Sequence, residues 1–196
     1  PEALIDTVGH TFHVTVSHLR RALSRGAQDL LSPLAQEGGF YRLVWPGSVW
    51  VDTREFASAL ARAAELEIAG QVYLAEAELR RASGLVRGDF LDDIHFEWAE
   101  ALRVKYRQDY SQVLRKLART ALARWDFTPA RDLAHRLLAE EPLDEAAHRI
   151  VIESLLGEDR RAEALAQYRY CARLLQRELG IQPSPVTTGL LGRKVR

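Results

Sequence analysis

Histidine is the first residue type whose spacing suggests chemistry. His10 and His13 stand three apart, which places two imidazoles on one face of a helix, where they could share a metal ion. A zinc site needs three or four such ligands, and no Cys pair, His-Glu-x-x-His run or third ligand stands near them. Asp92-Asp93 with His95 and Glu97 sets carboxylates beside an imidazole, the groups that general acid–base catalysis uses. Acids at this place are equally explained by a helix start, where they favour the dipole. Neither a Gly-x-x-x-x-Gly-Lys loop nor a Gly-x-Gly-x-x-Gly turn occurs. The residues therefore point to no enzyme, no metal and no cofactor.

The chain has 196 residues, enough for one large or two small domains, and 47% of them are hydrophobic, so a core can form. Cys171 is the single cysteine, which excludes an internal disulfide and fits a reducing, cytoplasmic setting. It falls where a small residue is needed, so packing is its expected role. No apolar run reaches the ~18 residues that a spanning helix needs, and no membrane association is expected. With no Met and a start at Pro1, the sequence is expected to be a piece of a longer chain. Twenty-seven basic residues balance twenty-seven acidic ones. Their placement is uneven. Arg103, Lys105, Arg107, Arg115, Lys116, Arg119 and Arg124 share one stretch, and Glu140, Glu141, Asp144, Glu145, Glu153, Glu158 and Asp159 share a later one. Two faces of opposite sign are expected, each able to steer a partner.

From His10 to Ser24, Phe12, Val16, Leu19 and Leu23 recur at helical spacing and mark one apolar face. Opposite it lie His10, Val14, Ser17 and Arg21, flanked by His13 and His18. Val14 is the odd member, an apolar side chain on a polar face, and would suit a thymine methyl group in a major groove. Phe40–Trp45 and Val49–Val51 around Pro46-Gly47-Ser48 read as a β-hairpin. Asp52 is a good N-cap and opens a run of helices at about 53–69, 71–84, 94–124, 128–140, 144–157 and 160–179. In the long third helix, Trp98, Leu102, Tyr106, Val113 and Leu117 form an apolar stripe expected to be core.

Two segments repeat 34 residues apart: Ala130 falls on Ala164, Ala134 on Tyr168 and Leu137 on Cys171. A 34-residue period with small residues at fixed places and a following proline, Pro142, is the tetratricopeptide pattern. The small residues let helices approach closely. An alanine-rich helical bundle is the plainer alternative.

Several runs, taken together and in order, resemble the bacterial transcriptional activator domain, an all-helical tetratricopeptide-like module that follows an OmpR-type winged helix. They are Arg87-Gly88-Asp89-Phe90-Leu91 with Trp98 and Arg103, Glu141-Pro142-Leu143-Asp144-Glu145 with His148-Arg149, and Glu178-Leu179-Gly180-Ile181-Gln182-Pro183. Phe12 to Leu23, with its Val-Ser-x-Leu-Arg-Arg core, is similar to that family's recognition helix, and Gly39-Phe40-Tyr41-Arg42-Leu43 to the strand that closes its wing. The strand platform and two helices that begin such a winged helix are mostly absent. Gln36 and Glu37 stand where the wing tip is usually basic, and a glutamate there would repel phosphate.

The resemblance implies a mainly α fold, a tetratricopeptide-like helical repeat domain preceded by a partial winged helix of one helix and a β-hairpin. It divides the chain into the winged-helix part at 1–51, the activator domain at 52–185 and a tail at 186–196. It implies that Val14 faces bases, with His10, Thr11, Ser17, His18 and Arg21 near bases or phosphates. The implied function is that of a DNA-binding transcriptional activator in the cytoplasm. Its partners would be double-stranded DNA, RNA polymerase or a regulatory domain, and a second copy of the chain in a homodimer. The alternative is a tetratricopeptide-type interaction module without DNA binding.

Overall fold

A computed structural model describes residues 2–24, 34–44 and 49–192; the side chains of 2–10 and of 23–24 lie outside the described residues. The chain divides into two compact units, Pro1–Val51 and Asp52–Arg196.

In the first unit, α1 spans Glu2–Ser24, and β1 (Leu34–Glu37) pairs antiparallel with β2 (Phe40–Leu43). The register sets Leu34 against Leu43 and Glu37 against Phe40. The hairpin is thus one strand earlier than its β-branched and aromatic residues suggest. Gly38 and Gly39 both have positive φ, 57° and 85°, which is what a two-residue type I′ turn requires and what glycine alone adopts freely. Val49 and Trp50 lie in no strand, and Pro46-Gly47-Ser48 is outside the described residues.

The second unit is helical: α2 (Asp52–Ile68), α3 (Val72–Leu85), α4 (Glu97–Ala123), α5 (Phe127–Glu140), α6 (Glu145–Gly157), α7 (Arg161–Leu179) and the short α8 (Pro185–Gly189). The chain reverses three times through the same turn. The amides of Gln71, Asp126 and Arg160 each donate to a carbonyl five residues back, those of Leu66, Ala121 and Leu155. Gly70, Trp125 and Asp159 occupy the left-handed position, at φ 71°, 64° and 59°. This is the Schellman arrangement, which satisfies carbonyls that a helix end leaves open. Five residues after each left-handed residue stands a buried alanine: Ala75, Ala130 and Ala164. So the repeat has three hairpins. The first escaped the 34-residue period because Ala75 lies 55 residues before Ala130. The longer α4 and the turn-rich run at 86–96 fill the difference.

The apolar stripe expected on α4 holds from Tyr106 onward, where Tyr106 packs partly buried against the core. Val113 and Leu117 are buried, but Trp98 is 56% exposed and Leu102 is also exposed. Ala99 and Arg103 face inward instead. The reason is polar. Arg103 donates to the carbonyls of Phe90 (3.0 Å), Leu91 (2.6 Å) and Ile94 (3.1 Å), and pairs with Glu100. A buried guanidinium needs such partners, and Arg103 shares the Leu91 carbonyl with the Ile94 amide, which donates to it at 2.9 Å. Asp92, Asp93, His95 and Glu97 lie exposed around this turn and the first turn of α4.

The two faces of opposite sign do not form. Of the basic stretch, all but Arg119 are engaged: Arg103 with Glu100, Lys105 with Asp109, Arg107 with Asp89, Arg115 with Glu141 and Asp144, Lys116 with Glu67, Arg124 with Glu76. The basic and acidic stretches partly meet each other. Asp144 does two things at once: one oxygen caps α6 through the amide of Ala147 (3.0 Å), and the other takes Arg115 at 2.6 Å. Next to it, Glu145 accepts from the Ser184 amide at 2.8 Å and the Ser184 hydroxyl at 2.6 Å, and from the Thr187 hydroxyl. Burial works to raise the Glu145 carboxyl, but these hydrogen bonds outweigh it and hold it below the usual range. They fix α8 in place. The segment read as a tail therefore contributes buried side chains, Thr187 and Leu190. Cys171 is fully buried, and burial pushes its thiol up to about 11, consistent with packing. Among the described residues no helix is long and apolar enough to cross a membrane.

Two substitutions test this packing. A Cβ on Gly157 would stand 2.1 Å from the Phe127 ring, whereas one on Gly84 meets nothing within 4 Å. Gly157→Ala should lower unfolding free energy by about 1–3 kcal/mol through overpacking, less the ~1 kcal/mol helix advantage of alanine. Gly84→Ala should be neutral or stabilising, and urea titration distinguishes the two. His148 is buried, donates from Nε2 to the Pro142 carbonyl (3.0 Å) and accepts at Nδ1 from Gln167 (2.8 Å). Burial lowers its pKa below the ordinary 6.5. Just below pH 6.5 the unfolded chain therefore binds the proton and the folded chain does not. The contribution of His148 is whole above pH 6.5 and is lost as pH falls. Denaturation midpoints should drop between about pH 7 and pH 5, and this slope should flatten in His148→Gln.

Candidate nucleic-acid interface

Among the described residues, Tyr41 holds α1 against the hairpin. In β2, alternate residues point to opposite faces, so Tyr41 projects on the side of Leu34 while Phe40 and Arg42 project on the other. The Tyr41 ring meets Phe12 edge-on, centroids 5.5 Å apart, and the Arg20 guanidinium lies 5.7 Å from its centroid. Phe12, Val16 and Arg20 follow each other at four-residue steps on one side of α1. Val16 and Leu34 are the buried pair of this unit among the described residues. Phe12 and Leu19, expected as core, remain about half exposed, because a two-stranded hairpin is too narrow to cover a whole helix face. The side chain of Leu23 lies outside the described residues.

That clamp decides what α1 presents outward. Val14 sits half a turn from Phe12 and Val16. Thr11, Val14, Ser17, His18 and Arg21 are all exposed, and they run along one side of the helix at three- and four-residue steps. Val14 is 40% exposed. The side chain of His10 lies outside the described residues. Thr15 turns its hydroxyl back to the Thr11 carbonyl at 2.9 Å, which removes it from outward contacts. The stripe has the composition of a major-groove reader: hydroxyls and an imidazole for base edges or phosphates, an arginine for phosphate, and a methyl-bearing side chain in the middle. His13 packs edge-on against Phe12, centroids 6.1 Å apart. No three His, Cys, Asp or Glu side chains gather at a metal-binding distance among the described residues.

Roles for Tyr41, Arg20 and Arg42 did not emerge from the sequence. The signal for Tyr41 was the alternation in Phe40-Tyr41-Arg42-Leu43, which sorts the strand into two faces once its partner strand is known. Arg42 reaches back to Glu37 at 3.1 Å across the turn. The glutamate at the wing tip is therefore paired.

The model for the bacterial transcriptional activator domain matches residues 51–195. Among curated proteins, the regulatory protein AfsR of Streptomyces coelicolor is 29% identical over 169 residues, covering 86% of this chain and 16% of AfsR. The transcriptional regulatory protein EmbR of Mycobacterium tuberculosis is 29% identical over 192 residues, covering 95% of this chain and 48% of EmbR. MoaR1 of the same organism, also a transcriptional regulatory protein, is 26% identical over 189 residues, covering 95% of this chain and 60% of MoaR1. A solved structure of Mycobacterium tuberculosis EmbR in complex with a low affinity phosphopeptide superposes with a TM-score of 0.70 at 26% identity. It covers 94% of this chain and 48% of that one. The chain thus spans at most about three fifths of the length of these relatives.

Proposed function

This chain belongs to the bacterial transcriptional activator domain family, and on that premise we propose that it is a DNA-binding transcriptional regulator, an activator, acting in the cytoplasm. In this reading α1 lies in a major groove of double-stranded DNA, and the hairpin is its wing. Val14 faces bases; Thr11, Ser17, His18, Arg21 and, by position, His10 lie at bases or phosphates. The helical unit serves association, either as a homodimer or with RNA polymerase or a regulatory domain. The observation that carries the reading is the exposed stripe from Thr11 to Arg21 on a helix whose other side is held by Tyr41. An interaction scaffold has no use for such a helix ahead of its first hairpin. The relatives, all named as regulatory proteins, support the same assignment. No catalytic role is assigned.

A second reading is a tetratricopeptide-type interaction module without DNA contact. It draws on the exposed apolar side chains at the hairpin ends, among them Ile68, Tyr73 and Trp125.

Substitutions on α1 separate the two. In the intact protein, Arg21→Ala should weaken binding to every duplex alike and reduce the slope of log affinity against log salt by about 1, as loss of one phosphate contact does. Val14→Ala should leave that slope unchanged and alter which duplexes are preferred, by a few-fold, the size of a methylene-scale contact of about 0.8 kcal/mol. Fluorescence anisotropy over a salt series reads both effects. Unchanged affinity and preference in both variants would leave the scaffold reading.

A further inference from the structure

Three helices bring one polar side chain each to a common point: Ser83 of α3, Tyr110 of α4 and Arg136 of α5. The Arg136 guanidinium donates to the Ser83 hydroxyl at 3.3 Å and to the Tyr110 hydroxyl, and its centre lies 5.7 Å from the centroid of the Tyr110 ring. Ser83 is buried, Tyr110 half-buried and Arg136 exposed, so the group runs from the interior to solvent. Beside Ser83 the space is open, since a Cβ on Gly84 would meet nothing within 4 Å. The engaged arginines around it, Arg80, Arg107 and Arg115, pair with carboxylates. Arg136 pairs with hydroxyls alone. Asp132 and Glu140 stand four residues to either side of it on α5, yet neither pairs with it. Both hydroxyls are used as acceptors, so their own hydrogens meet no protein acceptor among the described residues, and the same holds for Nε and Nη1 of Arg136.

We propose that Ser83, Tyr110 and Arg136 form a binding site for a phosphate-type oxyanion, either inorganic phosphate or a small phosphate monoester. The inference is independent of α1 and of its reading as a DNA-binding helix. Each of the three side chains has hydrogens to donate and none competes as an anion, which is the composition that an oxyanion requires. The two hydroxyls are held around a single nitrogen, Nη2, so one anion can reach both. That same nitrogen belongs to both of the forks by which a guanidinium grips a planar carboxylate. With Nη2 committed to the hydroxyls, a carboxylate loses its bidentate seat. A tetrahedral phosphate has oxygens pointing in several directions and can accept from Nη1 and from the hydroxyls together. The stacking of Arg136 on the Tyr110 ring holds the guanidinium in place before the anion arrives. The nearby Asp132 and Glu140 oppose the anion, so the affinity is modest.

The test uses the intact protein and reads the Arg136 Nε–H in a proton–nitrogen correlation spectrum, assigned through its loss in Arg136→Lys. That signal reports this site and not phosphate attracted elsewhere, such as to α1. Sodium phosphate, added at ionic strength held constant with sodium chloride, should shift it with half-saturation at roughly 1–10 mM, the scale of two charge-assisted hydrogen bonds less the cost of association. Sodium acetate at the same concentrations should leave it in place. Glycerol phosphate distinguishes the two sources: equal or tighter binding assigns the site to a phosphorylated small molecule, and exclusion assigns it to the free ion. The double variant Ser83→Ala with Tyr110→Phe keeps the guanidinium and should bind phosphate roughly fivefold more weakly or worse, the range of two lost neutral hydrogen bonds. Circular dichroism and urea titration verify that it folds. No shift with phosphate, or an equal shift with acetate, would overturn the proposal. So would an unchanged phosphate affinity in the folded double variant, which would leave an adventitious ion only at an exposed arginine.

Discussion

Three chain reversals through a left-handed residue set the geometry on which the helical unit depends. After α2, α4 and α6 the backbone must turn tightly enough to lay the next helix alongside the last. The left-handed position achieves this while satisfying the open carbonyls of the preceding helix. The buried alanines Ala75, Ala130 and Ala164 then allow close approach of the returning helix. Glycine fills the position without cost at Gly70. At Trp125 a bulky residue adopts it, at a cost of roughly 1–2 kcal/mol for the left-handed backbone. The Trp125 side chain, 75% exposed, makes an edge-on contact with Phe127 at 5.8 Å. Phe127 in turn packs against Gly157 of the next hairpin. Turn, ring and glycine form a continuous link between successive repeats.

The second organising feature is the use of charge as internal fastening. Arg103 gathers the turns before α4, Arg115 ties α4 to the α5–α6 connection, and Glu145 holds α8. Each lies partly or wholly out of solvent, where a hydrogen-bonded charge is stronger than at the surface and an unpaired one more costly. The neutral overall balance therefore reflects pairing within the unit. Among the described residues of the first unit, Tyr41 packs against Phe12, with Arg20 over the same ring, and the polar side of α1 is left to solvent.

Much of this was legible in the sequence where a local rule was strong. The helices of the second unit follow from their Gly and Pro punctuation, and Ala130 and Ala164 from their 34-residue period. The first hairpin was hidden because its spacing to the next is 55 residues, which no fixed period detects. The β-hairpin was displaced because Leu34-Ala35-Gln36-Glu37 lacks β-branched and aromatic residues. Its pairing is imposed by the Gly38-Gly39 turn, whereas Val49 and Trp50, with better strand composition, pair with no strand among the described residues. Trp98 and Leu102 have core spacing but lie outward because Arg103, one residue past Leu102, claims the inner face. The outward side of α1 was readable from helical period alone. The clamp that aims it was not, since Tyr41 comes from a strand whose faces are assigned only after pairing is known.

DNA binding by this protein depends on α1 as a sequence reader, and the most direct measurement is selection from random duplex DNA by the intact protein. Enrichment of a defined motif, repeated if two copies bind together, is the result this account predicts. A selected pool indistinguishable from the input, obtained with folded protein at low salt, would contradict it and leave the helical unit as a scaffold for protein partners.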